Sequence, residues 1–198
     1  MAMPVTRRWS AADVRELIEE NRPWPRYELL HGELLVTPAP RGPHQTAVAE
    51  LLRLLDVYAY DGGIGVAMIS PADLSLRPET IVQPDVFVIP KGSVRVVGRQ
   101  PEWSDITSLL LVEEVLSASS LRTDRVVKRD FYLANGVDEY WIVELDARLV
   151  ERWRPAQETP ELVRETLVWS PRGAAPLRID LPTLFDRIDA KWRFIQEL

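Results

Sequence analysis

The spacing of apolar positions changes several times along the chain, and each change marks an element. Val14, Leu17 and Ile18 recur at helical spacing behind Ser10, with Asp13 three residues on, so a capped helix is predicted there. "RPWP" at residues 22–25 ends it. "YELLHGELLVTP" reads as two strands about a His31-Gly32 turn. Val48, Leu51, Leu52, Leu55 and Tyr58 define a second helix, closed by Asp61-Gly62-Gly63. "IGVAMIS", "ADLSL" and "IVQPDVFVIP" follow as strands, and residues 91–106, which lack periodicity, as a mobile loop. "LLLVEEVLS" is the most β-like stretch. Ser117, Ser119 or Ser120 can cap the next helix, "LRTDRVVKRDFYLAN", and Gly136 stops it. "DEYWIVEL", "LVERWRP" and "TLVWS" are further strands.

This order predicts an α/β protein: a mixed β-sheet flanked by helices, with additional antiparallel strands. Residues 108–145 form a strand–helix–strand unit long enough for a parallel crossover. The 198 residues suit a single domain with a sizeable core, with the C-terminal strands and helix packed on it.

Against this pattern, a few charged residues stand out. Asp85 heads the apolar run Val86-Phe87-Val88-Ile89, where a bare carboxylate would cost several kcal/mol if dry. Either the strand begins at Val86 and Asp85 is solvated, or something positive binds it. In "LLLVEEVLS", Glu113 and Glu114 fall on opposite faces, one carboxylate on each otherwise apolar side. Periodicity does not choose between them. Asp124, Lys128 and Tyr132 lie at successive i,i+4 steps, on one stripe of the helix that follows. Two acids and a lysine on adjacent elements are what metal-assisted phosphodiester hydrolysis needs. The acids hold the ion, and the lysine stabilises charge building on the phosphorus. Trp24, Trp103, Trp141 and Trp153 read as core or loop packing.

Composition narrows the chemistry. There are no cysteines and only two histidines, which excludes disulfides, thiolate zinc sites and three-histidine sites. A metal site must then be built mainly from carboxylates, which favours Mg²⁺ or Mn²⁺. The net charge of −6 argues mildly against a broad electrostatic nucleic-acid binder and leaves room for a local basic patch. Of 24 basic residues only Lys91, Lys128 and Lys191 are lysines, so a lysine here is less interchangeable than usual. No apolar run is long enough to cross a bilayer and the N-terminus has no apolar signal core, so the expected location is the cytoplasm.

"YELLHGEL", "VQPDVFV", "LVEEVLSASS", "DRVVKRDFY" and "GVDEYWIVE" occur in the order and spacing of the Uma-two family of putative restriction endonucleases. The resemblance covers roughly residues 8–155. It implies the restriction-endonuclease-like fold, named for its Pro-Asp…Asp/Glu-x-Lys motif, and a Mg²⁺- or Mn²⁺-dependent endonuclease acting on DNA. Asp85 then matches the aspartate and Glu114 the second acid. The usual lysine position is Leu116, and Lys128 matches a lysine moved to the following helix. Glu33 and His44 match positions lining the cleft, Asp124 and Tyr132 support it, and the main-chain carbonyl of Val115 is a third ligand. Glu113 is an extra acid at a usually apolar position and permits a register in which it replaces Glu114. A homodimer is implied by analogy alone. The alternatives are a non-catalytic binding or regulatory module of the same fold, or a metal-dependent hydrolase of a smaller phosphorylated substrate.

Overall fold

A computed structural model describes residues 7–19, 24–94, 99–117 and 120–196. Its centre is a six-stranded sheet in the order β3-β4-β5-β6-β7-β8: Gly65–Ile69, Val86–Pro90, Leu111–Val115, Glu139–Glu144, Leu149–Trp153 and Glu161–Val163. All its pairings are antiparallel except β5–β6, where Leu111 aligns with Glu139 and Val115 with Val143. That parallel pair is joined by the predicted helical crossover. Its first part, Thr123–Lys128, is a π-helix, and it continues as the α-helix α3, Arg129–Ala134. Sequence spacing foresaw a helix here but not the wider turn, which recurs at functional sites.

Alternating side chains along β4, β5 and β6 fill two separate cores. Val86, Val88, Leu111, Val115, Trp141 and Val143 face α2 (Gly42–Asp61) and α4 (Leu181–Gln196). Phe87, Val112, Tyr140 and Ile142 face Phe131 and Tyr132 of α3, and Leu30 of the N-terminal hairpin. That hairpin, β1 (Arg26–Leu30) and β2 (Glu33–Thr37), turns at His31 and Gly32 with φ of 54° and 78°. Two positive φ values in a two-residue loop match the twist of the flanking strands, and glycine takes the second at no steric cost. α1 (Ala11–Glu19) starts as predicted: Ser10 Oγ accepts from Asp13 N–H at 3.2 Å and Asp13 returns to Ser10 N–H at 2.9 Å.

Two expectations change. "ADLSL" forms no strand; Leu74 makes only an isolated bridge to Val82. "IVQPDVFVIP" is broken in the middle: Ile81 and Val82 make isolated bridges, and β4 begins only at Val86, because Pro84 has no N–H to give a ladder. In residues 91–106 there is a short 3-10 turn, Trp103–Asp105, while 95–98, like 118 and 119, lie outside the described residues. The chain closes with the strands β9 (Thr166–Trp169) and β10 (Leu177–Asp180), paired antiparallel, and α4. Buried Glu50 of α2 bonds Arg187 and Lys191 of α4, fastening the two helices. No helix among the described residues is long and apolar enough to cross a membrane.

Candidate functional site

Asp85 sits just ahead of β4, yet it is only 5% exposed. Burial is tolerated because both carboxylate oxygens have polar partners. Its Oδ1 accepts from Arg26 Nη1 at 2.8 Å, and its Oδ2 accepts from Val115 N–H at 3.0 Å and lies 3.0 Å from His44 Nε2. The solvated reading of Asp85 therefore fails, although the strand does begin at Val86. The β4–β5 register explains the meeting with β5. Val86 pairs with Glu113, so one step further Asp85 falls opposite Glu114 on the same face. Where the ladder has ended, Asp85 takes the place of a strand partner for Val115.

This register also separates the two glutamates. Glu114 faces the cleft, while Glu113 faces the core packed on α2. Both oxygens of Glu113 are buried without a hydrogen-bond partner, and burial, with the nearby Asp85 charge, pushes its pKa well above the usual carboxylate range. The shifted register that would exchange the two is absent. The N–H of Leu116 turns to Val143 of β6 at 2.9 Å, whereas that of Val115 turns to Asp85. N–H and C=O of one strand residue point to one side, so the Val115 carbonyl also faces the Asp85 side.

Lys128 enters from the π-helical turn. Its Nζ lies 2.9 Å from Glu114 Oε1, 2.9 Å from Glu28 Oε2 and 3.8 Å from Asp124 Oδ1, and its side chain is 6% exposed. Glu28 is itself fixed, because its Oε1 accepts the Gln83 N–H at 2.7 Å. Tyr140 Oη donates to the Asp124 carbonyl at 3.0 Å and ties the turn to β6. Tyr132, one turn on, stacks on Tyr140 with ring centroids 5.5 Å apart. Its hydroxyl is buried with no partner, and it packs behind the cleft instead of lining it.

Glu33 is the predicted residue that the fold places elsewhere. In the hairpin ladder, Glu28 pairs with Leu35 and Leu30 with Glu33, so both glutamates share a face. Glu33 stands at the turn end, exposed, two residues (about 7 Å) from Glu28, which lines the cleft with Arg26 and Thr37. Arg26, Glu28 and Trp24 are the cleft residues that the sequence reading missed. Of the core or loop packing expected of Trp24, the structure shows the second: it lies in the loop before β1 and lines the cleft, with the Arg26 Cζ 4.7 Å from its ring centroid. The signal for Glu28 was the same as for Asp85, an acid inside an apolar strand, but Glu33 carried it equally.

The charges are unbalanced. Glu28, Asp85, Glu114 and Asp124 share the cleft with two fixed cations, Arg26 and Lys128, and with His44. Burial would raise the pKa of Asp85, but the hydrogen bond and charge of His44, with Arg26 and Lys128, outweigh it and bring it to about 2. Burial pushes Asp124 up to about 6 against the pull of Lys128. Glu114 goes well above its usual range, first by burial and then by Asp85, Asp124 and Glu28, with Lys128 opposing. Lys128 keeps its proton: the carboxylates of Glu114, Glu28 and Asp124 outweigh its burial.

The donor set is hard oxygen throughout: two carboxylates from facing strand ends and the Val115 carbonyl. A cavity of about 30 Å³ among them has room for a water or a small ion. As they stand, the acids are turned to side-chain cations, and among the described residues no three His, Cys, Asp or Glu side chains are arranged around one ion position.

A sequence profile described as "Putative restriction endonuclease", that of the Uma2 family, matches residues 11–182. The chain belongs to this family. A crystal structure from Anabaena variabilis, titled as a putative nuclease belonging to DUF820, superposes with a TM-score of 0.73 at 21% identity, covering 88% of this chain and 98% of that one. The fold is therefore that of this structure. No curated protein matches the chain.

Proposed function

We propose that the cleft hydrolyses phosphodiester bonds in DNA with the help of Mg²⁺ or Mn²⁺. The observation that carries this reading is the convergence of Asp85, Glu114 and Lys128, from just ahead of β4, from β5 and from the crossover helix, in one buried cleft of a chain in this family. When bound, a divalent ion would supply Lewis-acid polarisation of the phosphate and a more acidic water. Asp85, Glu114 and the Val115 carbonyl are the groups that would hold it. Lys128, kept charged and aimed by Glu28 and Glu114, presents an ammonium to charge that builds on the phosphate oxygens. Asp124 and the tyrosine stack hold the turn that carries Lys128.

The closed pairing of acids with Arg26, His44 and Lys128 supports a second reading, a non-catalytic module in which the same groups form a structural ion network. Substrate class is tested by offering the protein plasmid DNA, single-stranded DNA, RNA and bis(p-nitrophenyl) phosphate with MnCl₂. Turnover of DNA above the others supports the proposal. Turnover of the small diester alone supports a hydrolase of smaller substrates, and no turnover of any supports the structural network.

A further inference from the structure

Both oxygens of Asp85 are engaged: Oδ1 by Arg26, and Oδ2 by the Val115 N–H and His44. A divalent ion at either oxygen therefore meets one of these partners. The three partners differ in how freely they leave. The Val115 N–H is main chain in β5 and moves only with the sheet. His44 rides on the first turn of a twenty-residue helix that is pinned from outside. Trp192 of α4 donates from Nε1 to Thr46 Oγ1 at 2.7 Å, and its ring lies so close over Gly42 that a Cβ there would come within 2.0 Å. Arg26 is different. It is a long side chain at the open end of a two-stranded hairpin, and its guanidinium already has a second place to rest, the face of Trp24 at 4.7 Å.

We propose that Arg26 is the resident counter-cation of the cleft. It neutralises Asp85 in the resting protein, then yields Oδ1 to an incoming divalent ion and settles on Trp24 at the cleft wall, where its charge meets an arriving phosphate. This rests on the ion-dependent reading above. The exchange has a clear logic. In the resting protein Arg26 is the cation set on Oδ1, and with His44 on Oδ2 it offsets the burial of the Asp85 charge. With an ion present, Arg26 becomes a like charge beside it and opposes binding.

Calorimetric titration with MnCl₂ tests this on wild type, R26M, R26K and W24L, with thermal melts confirming that each is folded. R26M removes the competing charge and binds Mn²⁺ about tenfold or more tightly than wild type. R26K retains a competing charge and stays close to wild type. W24L leaves Asp85 and Arg26 in place but removes the second resting place, so it binds about two- to fivefold more weakly. R26M affinity equal to or below that of a wild type that binds Mn²⁺ overturns the counter-cation role and leaves the ion reading standing. Unchanged or tighter binding by W24L overturns the resting place on Trp24. Absence of binding by both wild type and R26M overturns the ion reading itself, and this proposal with it.

Discussion

Lys128 Nζ and Glu114 Oε1 lie 2.9 Å apart in a buried ion pair that joins the crossover helix to the end of β5. The pair brings together two residues that sequence spacing keeps 14 positions apart. Glu28 completes it from the hairpin, so one ammonium links three elements. Lys128 therefore has a structural part beside the chemical one proposed for it. Lys128→Met leaves buried Glu28 and Glu114 without their cation and lowers stability by about 3–5 kcal/mol, measured by urea unfolding. Lys128→Arg keeps the charge and much of that stability. Its bulkier planar head no longer fits the position, and cleavage falls by roughly 10²–10³-fold. Full activity in Lys128→Arg would contradict a specific role for the ammonium.

Glu28 and Glu33 give a second test, because they share a hairpin face but only Glu28 lines the cleft. Glu28→Gln loosens the aim of Lys128 and lowers cleavage by about 10²-fold. Glu33→Gln, at the exposed turn end, leaves the rate within about twofold, as expected of a surface substitution. The opposite ranking would mean that the hairpin is turned the other way in the working protein.

Much of this site was legible in the chain, and the limits have physical causes. Asp85, Glu114 and Lys128 were marked by charge inside apolar runs or on a helix stripe, which local pattern can show. Choosing Glu114 over Glu113 needed the pairing of Val86 with Glu113, a fact about two strands. Choosing Glu28 over Glu33 needed to know which end of the hairpin meets the sheet. Arg26 gave no signal at all, since an arginine at a strand start is ordinary on any surface. The break in "IVQPDVFVIP" was carried by Pro84, and periodicity ran through it because Ile81 and Val82 are buried all the same.

Divalent ions provide a further prediction. Four carboxyl groups share the cleft with too few cations, so Mg²⁺ or Mn²⁺ stabilises the wild type in a concentration-dependent way. Differential scanning fluorimetry then shows a rising melting temperature. Glu114→Gln loses most of the rise, while Glu113→Gln, altered on the far side of β5, keeps it. The reverse pattern would assign the ion to Glu113.

Glu113 predicts an unusual pH dependence. Burial raises its folded pKa well above 4.5, so the folded state holds this proton where the unfolded state has lost it. Stability from this group is present below the unfolded pKa of about 4.3 and is lost as pH rises from there toward the folded pKa. The slope approaches about 1.4 kcal/mol per pH unit. Glu113→Met removes it, so the variant gains on wild type as pH goes from 5 to 7. Urea unfolding across that range shows the two curves diverging; parallel curves would mean that Glu113 ionises freely in the fold.

On the proposed function, Asp85, Glu114 and Lys128 make one working cleft for DNA hydrolysis. The most direct test is a cleavage time course on supercoiled plasmid and single-stranded DNA, with Mg²⁺ or Mn²⁺, wild type beside Asp85→Ala. Wild type is expected to cleave only with the ion present, to stop on chelation, and to fall to background as Asp85→Ala. Cleavage that survives Asp85→Ala, or a folded wild type that binds Mn²⁺ and leaves both DNAs intact, would contradict it.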